Sequence, residues 1–489
     1  MHIYFKYLRV VALLTGLTLG LLGFVSARAG ILAPDFSAVD SYLETKMKEA
    51  HIPGMAIGIV QGNTIVHTQG FGTLNDAGEK VTAQTPFILG STSKSFTALA
   101  IMQLVEAGKI ELNAPVQKYI PWFRVADAQA SSKITIQQLL NHSSGISIET
   151  GNQPLVENQP EDRSLEEWVK TLGTAKLSRP VGESYEYSNA NYIILGLVIE
   201  KVSGQSYEEY IQKNIFMPLQ MGQSFTSQEK AREHGMATGY HLPFGVPDAA
   251  MHVPYPTSFI PVGFIISSVE DMSHYLVAQL NGGKYQDHSV LSAAGVNQLH
   301  APGVEMEKDG NLFYGMGWVN RTFNDIPVIW HDGDTGHFHT EMALIPEGQW
   351  GFVLFMNASH FRLYPAFEEM ASGTTSLLMG KTPRDYINFK RIIAGIYFTI
   401  ILGALLQLVW LIFAFIDLKH PKNWKTILWK IAVPVILNGA ISSFFLWIGW
   451  QFIAPFWEIV SFMPDLGAAL ILTSVVSIGW LVRTILAFW

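Results

Sequence analysis

The apolar and polar positions divide the chain into a mixed central part and two strongly apolar ends. In the central part, two short apolar stretches flank Gly62 and Asn63 in "GMAIGIVQGNTIVHTQGFGTLN", and this dipeptide favours a tight turn between strands. The next segment, "STSKSFTALAIMQLVEAGKI", begins with hydroxyl residues suited to a helix start, carries apolar residues at helical spacing and stops at Gly108. This pattern predicts a β-hairpin followed by a helix.

Further helices and strands follow in an order that indicates the fold class. Helices are predicted for "TIQQLLNH", "NYIILGLVIEKVSG" and "SVEDMSHYLVAQLNGG", and short strands for "PVIWHDG", "TEMALIPEG" and "QWGFVLFMN". No repeat and no linker rich in Pro, Gly or Ser divides residues 30–380. Strands at both ends of this one domain, with helices between them, predict an α+β arrangement in which the terminal strands share one antiparallel sheet.

The amino-terminal end has the pattern of a secretory signal peptide. Lys6 and Arg9 precede an uncharged apolar run over residues 10–25, and "ARA" at residues 27–29 fits a cleavage site. Residues 1–29 are therefore predicted to be a signal peptide. An uncleaved signal anchor is the alternative, because the apolar run is slightly long. Either interpretation predicts that the domain that follows is exported.

The carboxy-terminal end contains three long apolar runs, over about residues 392–416, 427–453 and 466–489. A helix of about 20 apolar residues crosses the hydrocarbon core of a bilayer, so each run is long enough. Residues 381–489 are therefore predicted to form a membrane domain of three transmembrane helices. This predicts a multi-pass protein of the cytoplasmic (inner) membrane, in contact with lipid, whose catalytic domain lies on the periplasmic or extracellular side.

Composition and charge narrow the classes of protein further. The 489 residues are 49% hydrophobic and only 15% charged, with a mean hydropathy of +0.22, which rules out a disordered or fibrous chain. The net charge of -8 offers no basic surface for a phosphate backbone, so no nucleic-acid partner is predicted. The chain has no cysteine, which excludes disulfide scaffolds, cysteine nucleophiles and cysteine zinc sites.

Ser91 and Lys94 lie three residues apart at the start of a predicted helix, where positions i and i+3 share a face. A serine hydroxyl becomes a nucleophile when a base takes its proton, and lysine can be that base if its pKa falls from about 10.4. The helix N-terminus and burial both disfavour the ammonium, and free backbone N–H groups there can hold an oxyanion. The pair is a candidate nucleophile and base. A helix cap beside a solvated lysine is the alternative.

Tyr187 and Asn189 lie in "RPVGESYEYSNANYIILG", a turn-rich segment that leads into a helix. A tyrosine close to a lysine can lose its proton at a lower pH, because the cation stabilises the phenolate, and can then act as a general base. A buried tyrosine beside an ordinary turn asparagine is the alternative. The motif is short, since Tyr386, Ile387 and Asn388 match it again in a segment with no plausible role.

His331, Gly333 and Asp334 lie at the end of the predicted strand in "PVIWHDGDTGHF". The glycine would let a substrate approach the strand edge, the histidine could donate to a substrate carbonyl or carboxylate, and the N–H of Asp334 could complete an oxyanion hole. A plain turn is one alternative. A metal site is another, because His337 and His339 are close in sequence. The spacing fits neither H-E-x-x-H nor the calcium loop, so no metal is predicted.

The order of the three motifs, "STSK", "YSN" and "HDG", resembles that of the serine β-lactamase and penicillin-binding superfamily, whose motifs are S-x-x-K, Y-x-N and H-x-G or K-T-G. More narrowly, the chain resembles the class C β-lactamase, D,D-carboxypeptidase and esterase group. The stretches "PGMAIGIV", "LLNHSSGI", "ILGLVIEKVSG", "FMPLQMG" and "PVGFIISSVEDM" extend the resemblance over about residues 36–357. It implies a β-lactamase-like domain, with an antiparallel sheet flanked by helices and a helical subdomain.

The resemblance also implies roles for the motif residues. Ser91 would be the acylated nucleophile, and Lys94 its proton acceptor or the partner that lowers the pKa of Tyr187. Tyr187 would be the general base, and Asn189 would bind an amide of the substrate. No cofactor is implied.

The third motif is implied to line the cleft, with His331 and Gly333 on its strand. Members of this group often read HDGGTPG, whereas this chain has Asp334 and His337 in place of glycines. These larger side chains are expected to narrow the cleft and to change which acyl group fits.

The implied reaction is acyl transfer through an acyl-enzyme, on amide bonds of peptides that contain D-amino acids. The signal peptide, the hydrolase domain and the three terminal helices together also resemble the colibactin-maturing, prodrug-activating peptidases, which remove an acylated D-amino-acid cap from an exported prodrug. The expected partner is a small peptide or acylated D-amino acid, and an export transporter is not identified. A D,D-carboxypeptidase or penicillin-binding protein, an esterase and a β-lactamase are alternatives. A β-lactam sensor or a non-catalytic scaffold would be of another class.

Overall fold

A computed structural model describes residues 36–156, 162–250, 253–307 and 310–385, together with scattered positions between 391 and 482. The α-helices of the domain are α1 Phe36–Ala50, α2 Ser93–Glu106, α3 Ala128–Ser131, α4 Ile136–Leu140, α5 Ile148–Val156, α6 Leu165–Thr171, α7 Asn189–Ser203, α8 Tyr207–Ile211, α9 Gln228–Glu233, α10 Val269–Leu280, α11 Ala293–His300 and α12 Tyr364–Leu378. The strands are β1 Gly54–Gln61, β2 Thr64–Gly72, β3 Phe87–Ile88, β4 Tyr240–His241, β5 Asp248–Ala249, β6 Ile266–Ser267, β7 Lys284–Tyr285, β8 His288–Ser289, β9 Val304–Glu305, β10 Phe313–Tyr314, β11 Val319–Phe323, β12 Ile326–Asp334, β13 His339–Ile345, β14 Trp350–Met356 and β15 Ala358–Ser359.

Eight of the strands form one antiparallel sheet in the order β2-β1-β14-β13-β12-β11-β10-β9. The predicted hairpin is present, with Gly62 at its turn in the left-handed region. β1 also pairs with β14, where Ile57 lies opposite Leu354. The first and last long strands of the domain therefore share a sheet, which confirms the predicted α+β, β-lactamase-like arrangement.

The sheet is covered on both faces, which explains why β13 and β14 are buried along their whole length. On one face, α1 and α12 bury apolar residues such as Leu43 and Phe367 against Phe352. On the other face, α10 packs across β1 and β14 and joins a second, larger core that includes the helical part of the domain. The sheet is thus held between two cores and gives rigid support to residues at the end of β12.

The helix α2 is buried on every side, as all residues from Ser93 to Met102 show. Its apolar residues fill the core, and its buried polar residues Ser93, Lys94, Ser95 and Thr97 lie in the first half of the helix. It packs against α7 and against the turn at Ile260–Phe264. This position brings the start of α2, with Ser91 and Lys94, to the junction between the sheet and the helical part.

The membrane part of the predicted fold is wrong. Among the residues that the structure describes, no helix combines the length and the apolar character needed to cross a bilayer. The prediction rests on the length of the apolar runs, and apolar length alone does not establish one continuous helix of the required span. The runs at 392–416 and 466–489 are described only in part, and the run at 427–453 lies outside the described residues.

The signal peptide at residues 1–29 also lies outside the described residues. It stays a prediction, as do the boundaries 30–380 and 381–489. Export of the domain, its contact with lipid and its location at a membrane are likewise untested predictions.

Candidate active site

Ser91 lies in a tight 3₁₀ turn, Gly90–Thr92, that leads directly into α2. Gly90 has a φ of 56°, in the left-handed region that favours glycine. A Cβ added to Gly90 would lie 2.4 Å from the backbone nitrogen of Asp334. The turn therefore passes against the end of β12 with no room for a side chain, and this close approach brings Ser91 beside the third motif.

The Ser91 hydroxyl has two partners that can carry its proton. Lys94 Nζ lies 2.9 Å from Ser91 Oγ, and the hydroxyl of Tyr187 lies 2.7 Å from the same oxygen. Lys94 Nζ also donates to the backbone carbonyl of Val262 at 2.7 Å. Two of the predicted motifs, one at the start of α2 and one just before α7, thus meet at one oxygen atom.

Burial favours the neutral form of both partners, which provides the base form of Lys94 but disfavours the base form of Tyr187. Lys94 is 0% exposed, and its burial lowers the pKa of the amine well below its usual value, although the charge of Asp332 opposes this. Burial raises the pKa of Tyr187, while its hydrogen bond with Ser91 acts the other way. The neutral amine of Lys94 is therefore better suited than a phenolate to accept the Ser91 proton. The same burial weighs against the prediction that Lys94 lowers the pKa of Tyr187.

The end of β12 forms the opposite side of the site through Gly333 and Asp334. A Cβ added to Gly333 would lie 2.1 Å from the carbonyl oxygen of Leu89 and 2.9 Å from the backbone nitrogen of Ser91. Only glycine lets the strand approach the turn this closely. The N–H groups of Ser91 and Asp334 flank this approach, which makes them the candidate donors of an oxyanion hole.

The side chain of Asp334 anchors the end of β12 to the residues around it. Its carboxylate accepts hydrogen bonds from the N–H of Gly336 at 2.6 Å, from the hydroxyl of Ser359 and from Nδ1 of His339 at 3.2 Å. His339 in turn donates from Nε2 to Glu341 at 3.1 Å. The expected narrowing of the cleft therefore does not arise from Asp334, because its carboxylate is held in this buried network behind β12.

His331 is also committed to protein partners. Its Nδ1 donates to the backbone carbonyl of Asp332 at 2.6 Å, and its Nε2 accepts from the hydroxyl of Tyr314 at 3.1 Å. Burial lowers the pKa of His331 to about 4, so the ring is neutral at physiological pH. In this arrangement His331 has no N–H left for a substrate. It fixes Tyr314 in the wall of the cleft instead.

Asn189 begins α7 and donates its side-chain N–H to Oδ1 of Asn152 at 2.7 Å. The side-chain oxygen of Asn189 is buried and has no donor among the residues that the structure describes. Buried polar atoms are normally hydrogen-bonded. The motif implies that this oxygen accepts an N–H from a substrate amide, and that role stays a prediction.

Comparison with protein families settles the superfamily. A family model described as "Beta-lactamase" matches residues 39–371, about two thirds of the chain. The chain belongs to the beta-lactamase family. The match begins in α1 and ends in α12, so it takes in the whole sheet and all three motifs.

Several relatives in the beta-lactamase family are similar to the chain over this domain. Protein flp of Staphylococcus aureus (strain MW2) is 31% identical over 322 residues, which cover 65% of this chain and 62% of flp. The chain thus matches less than two thirds of the length of that relative. Penicillin-binding protein 4 of Amycolatopsis lactamdurans is 29% identical over 310 residues, which cover 61% of this chain and 79% of that protein.

Solved structures of penicillin-binding proteins share the fold. The octameric penicillin-binding protein homologue from Pyrococcus abyssi is 32% identical, with a TM-score of 0.61 over 71% of this chain and 78% of that one. A penicillin-binding protein from Bacillus halodurans is 26% identical, with a TM-score of 0.56 over 68% of this chain and 98% of that one. These likenesses agree with the motif order found in the sequence.

His142 is a site residue of this beta-lactamase-family chain that the sequence did not reveal. It is fully buried, has a φ of 53°, and its ring centroid lies 4.4 Å from that of Tyr187. Its Nδ1 accepts from the N–H of Ser188 at 3.1 Å and from the side-chain amide of Asn191 at 2.9 Å. These bonds fix the tautomer with the proton on Nε2 and hold the ring against Tyr187. The only signal was the stretch "LLNHSSGI", which showed resemblance and no role.

Replacing His339 by leucine is expected to destabilise the protein by about 3 kcal/mol near neutral pH, because Asp334 and Glu341 would stay buried without the positive charge between them. Burial lowers the pKa of His339, but its hydrogen bonds and charge interactions with both carboxylates outweigh this and raise it to about 9. The value in an unfolded chain is about 6.5. The stabilisation is therefore complete below about pH 6.5 and is lost as the pH rises through about 9.

Urea unfolding at about pH 6 and about pH 10 measures this effect. The difference in unfolding free energy between wild type and His339→Leu should shrink at the higher pH. His288→Leu, at an exposed histidine on β8, is the matched control and should show little difference at either pH. An equal loss for His339→Leu at both pH values would show that the imidazolium does not provide the stabilisation.

Proposed function

We propose that the protein is a serine hydrolase that cleaves an amide bond of a D-amino-acid-containing peptide through an acyl-enzyme at Ser91. The observation that carries the proposal is the position of Ser91 Oγ between Lys94 Nζ at 2.9 Å and the Tyr187 hydroxyl at 2.7 Å. A hydroxyl between a desolvated amine and a phenol has an acceptor for its own proton and a donor for the leaving group. Membership of the beta-lactamase family supports a serine hydrolase of this kind.

In the proposed reaction, protons pass between Ser91, Lys94, Tyr187 and the substrate, and each side chain ends in the form in which it began. Ser91 Oγ attacks the carbonyl carbon while the neutral Lys94 amine takes its proton, and the N–H groups of Ser91 and Asp334 stabilise the oxyanion. As the C–N bond breaks, Tyr187 gives its proton to the leaving amine, and the Lys94 ammonium returns a proton to Tyr187. Water then attacks the acyl-enzyme and gives up one proton by the reverse path. The products are the acid, the amine and the free Ser91 hydroxyl.

Two observations support an amide as the substrate. The side-chain oxygen of Asn189 has no donor among the described residues, and in this proposal it accepts an amide N–H of the substrate. The names of similar proteins refer to penicillin, which is an N-acylated cyclic amide. The D-configuration is proposed on the resemblance of the three motifs to those of D,D-carboxypeptidases. Maturation of an exported prodrug has no support from the described residues, among which no helix is long and apolar enough to cross a membrane.

Intact-mass spectrometry tests the proposal most directly. Purified wild type and Ser91→Ala are incubated with a fluorophosphonate, a β-lactam and an N-acyl-D-asparagine peptide, and adducts are located by peptide mapping. We expect a fluorophosphonate adduct on Ser91 in wild type only, and a transient acyl adduct that accompanies cleavage of the D-peptide but not of its L-epimer.

Each other outcome has a definite meaning. A long-lived β-lactam adduct without cleavage of the D-peptide would favour a penicillin-binding role. Equal adducts in wild type and Ser91→Ala would show that Ser91 is not the nucleophile. A failure of all three probes to label the folded wild type would overturn the proposal.

A further inference from the structure

A cavity of about 560 Å³ adjoins the catalytic residues on the side of β10, β11 and β12. Tyr187 and His331 form part of its wall, so a group bound in the cavity lies next to the atoms that exchange protons with Ser91. Asn189 is not among the lining residues.

The wall of this cavity is unusually aromatic. Four of its side chains are Tyr185, Tyr187, Tyr314 and Trp330. The rings of Tyr185 and Tyr187 lie 5.7 Å and 6.2 Å from that of Tyr314, so three of the rings form one cluster. Aromatic faces carry partial negative charge and attract cations, best of all the alkylated ammonium groups that are held in aromatic cages.

The lining formed by the described residues also contains two carboxylates, Asp332 on β12 and Glu307 on the rim. The side chain of Asp332 is 37% exposed, and within the described residues no donor lies within hydrogen-bonding distance of its carboxylate. Its ion-pair contact, Nδ1 of His331, lies 3.9 Å away, and that N–H is already donated to the backbone. A carboxylate at the edge of a cleft without a donor can accept a charged hydrogen bond from a ligand.

Among the described residues that line the cavity, Arg321 is the one with a cationic side chain, and it is already paired. Its two terminal nitrogens contact the two carboxylate oxygens of Glu368 at 3.2 Å and 2.6 Å. Its guanidinium carbon lies 4.6 Å from the centroid of Trp330. Arg321 therefore offers the cavity little uncompensated charge, and its position shows that this wall already stabilises one cation by its aromatic face.

We infer that this cavity binds a cationic group of the substrate, an ammonium or alkylated ammonium carried next to the bond that Ser91 attacks. Tyr185, Tyr314 and Trp330 would enclose the apolar part of the group, and Asp332 would take its charge. The inference rests on the proposed function, since it places the group on the substrate of Ser91. It also predicts that a free carboxylate in this position is rejected, because Asp332 and Glu307 would repel it.

Esters that differ only in charge test the inference, because they need no knowledge of the natural substrate. One pair is butyrylcholine and its isostere in which carbon replaces the quaternary nitrogen. The second pair is the p-nitrophenyl esters of an acid that ends in trimethylammonium and of the matched acid that ends in tert-butyl. The first pair carries the charge in the leaving group, and the second pair carries it in the acyl group. Initial rates give kcat/KM for each.

In wild type, we expect kcat/KM for the cationic ester to exceed that for its neutral partner by roughly tenfold in at least one pair. A desolvated contact between a cation and aromatic rings, with a carboxylate nearby, provides a ratio of this size. Asp332→Asn should reduce this preference to about twofold or less while the neutral ester is still hydrolysed, since the side-chain shape is kept. Glu347→Gln, which removes an acid on the turn after β13, is the matched control and should keep the preference.

The outcomes separate the inference from the proposed function. If neutral and cationic esters are both inert in the folded wild type, the proposed function fails. If the neutral esters are hydrolysed but neither pair shows a preference for the cation, only the inference is overturned. A preference that survives Asp332→Asn would also overturn the assignment of Asp332, and a preference for a matched carboxylate-bearing ester would reverse the charge of the proposed ligand.

Discussion

Lys94→Met is expected to lower kcat/KM for a p-nitrophenyl ester by roughly 10³- to 10⁴-fold while the protein stays folded. Lys94 Nζ lies 2.9 Å from Ser91 Oγ, and within the described residues its other hydrogen bond is to the Val262 carbonyl rather than to a carboxylate. Burial therefore favours the neutral amine, the form that can accept a proton. Methionine has a similar length and is apolar, so it removes the acceptor without opening a cavity.

Thermal unfolding separates loss of chemistry from loss of fold in this variant. Replacing a buried ionisable group by an apolar one of similar size is often neutral or stabilising, so we expect a Tm within a few degrees of wild type. Lys109→Met, at an exposed lysine just past the other end of α2, is the control and should keep full activity. A Lys94→Met variant with more than a tenth of wild-type activity would instead make Tyr187 the main proton acceptor.

The pH profile provides a second check on Lys94. An amine must be unprotonated to accept a proton, so kcat/KM should fall on the acid side as Lys94 becomes charged. Because its pKa is lowered by burial, this fall should lie well below the pH at which an exposed lysine would titrate. A profile that rises only with the ionisation of an ordinary lysine would contradict the assignment.

The sequence predicted much of this site because its chemistry depends on local spacing. Ser91 and Lys94 meet because they are one helical turn apart, and that distance is fixed once the helix forms. The hairpin at Gly62 and the sharing of one sheet by β1 and β14 followed from local turn chemistry and from the order of the elements. These features need no knowledge of which distant residues touch.

The features that the sequence missed depend on cross-strand register. β12 pairs with β13 so that Asp334 lies opposite His339 and Asp332 lies opposite Glu341. A shift of one residue would turn every one of these side chains to the other face, and nothing in the sequence fixes that choice. The anchoring role of Asp334 is therefore visible only in the structure. The same holds for His142, whose contact with Tyr187 joins a loop to the segment before α7.

The phenolate role that the sequence suggested for Tyr187 stays a prediction, and burial of Tyr187 weighs against it. Proximity to a lysine lowers the pKa of a tyrosine only if the lysine carries its charge. In the folded domain, burial disfavours the charged form of both groups, and Lys94 Nζ lies over the Tyr187 ring, 4.8 Å from its centroid. Desolvation depends on the whole surrounding core, which the local motif does not describe. The pair therefore works best as a neutral amine and a neutral phenol.

Gly333→Ala is expected to lower kcat/KM by about 10³-fold and to destabilise the fold by about 2 kcal/mol. The added Cβ would lie 2.1 Å from the Leu89 carbonyl oxygen and 2.9 Å from Ser91 N, and both of these atoms belong to backbone that cannot rotate aside. The end of β12 must then move away from the Ser91 turn. Such a shift separates the N–H groups of Ser91 and Asp334, so a developing oxyanion loses one of its two donors.

Measurement of both activity and stability identifies the cause of the Gly333→Ala defect. Gly222→Ala is the control, because a Cβ at that glycine would meet open space. If the defect is in the oxyanion hole, acylation by a fluorophosphonate should slow along with ester hydrolysis at a temperature where urea unfolding shows the variant fully folded. Lys94 and Tyr187 remain in place in this variant, so any remaining activity should keep the wild-type pH dependence. A folded Gly333→Ala variant with near-wild-type kcat/KM would show that β12 does not supply the second oxyanion donor.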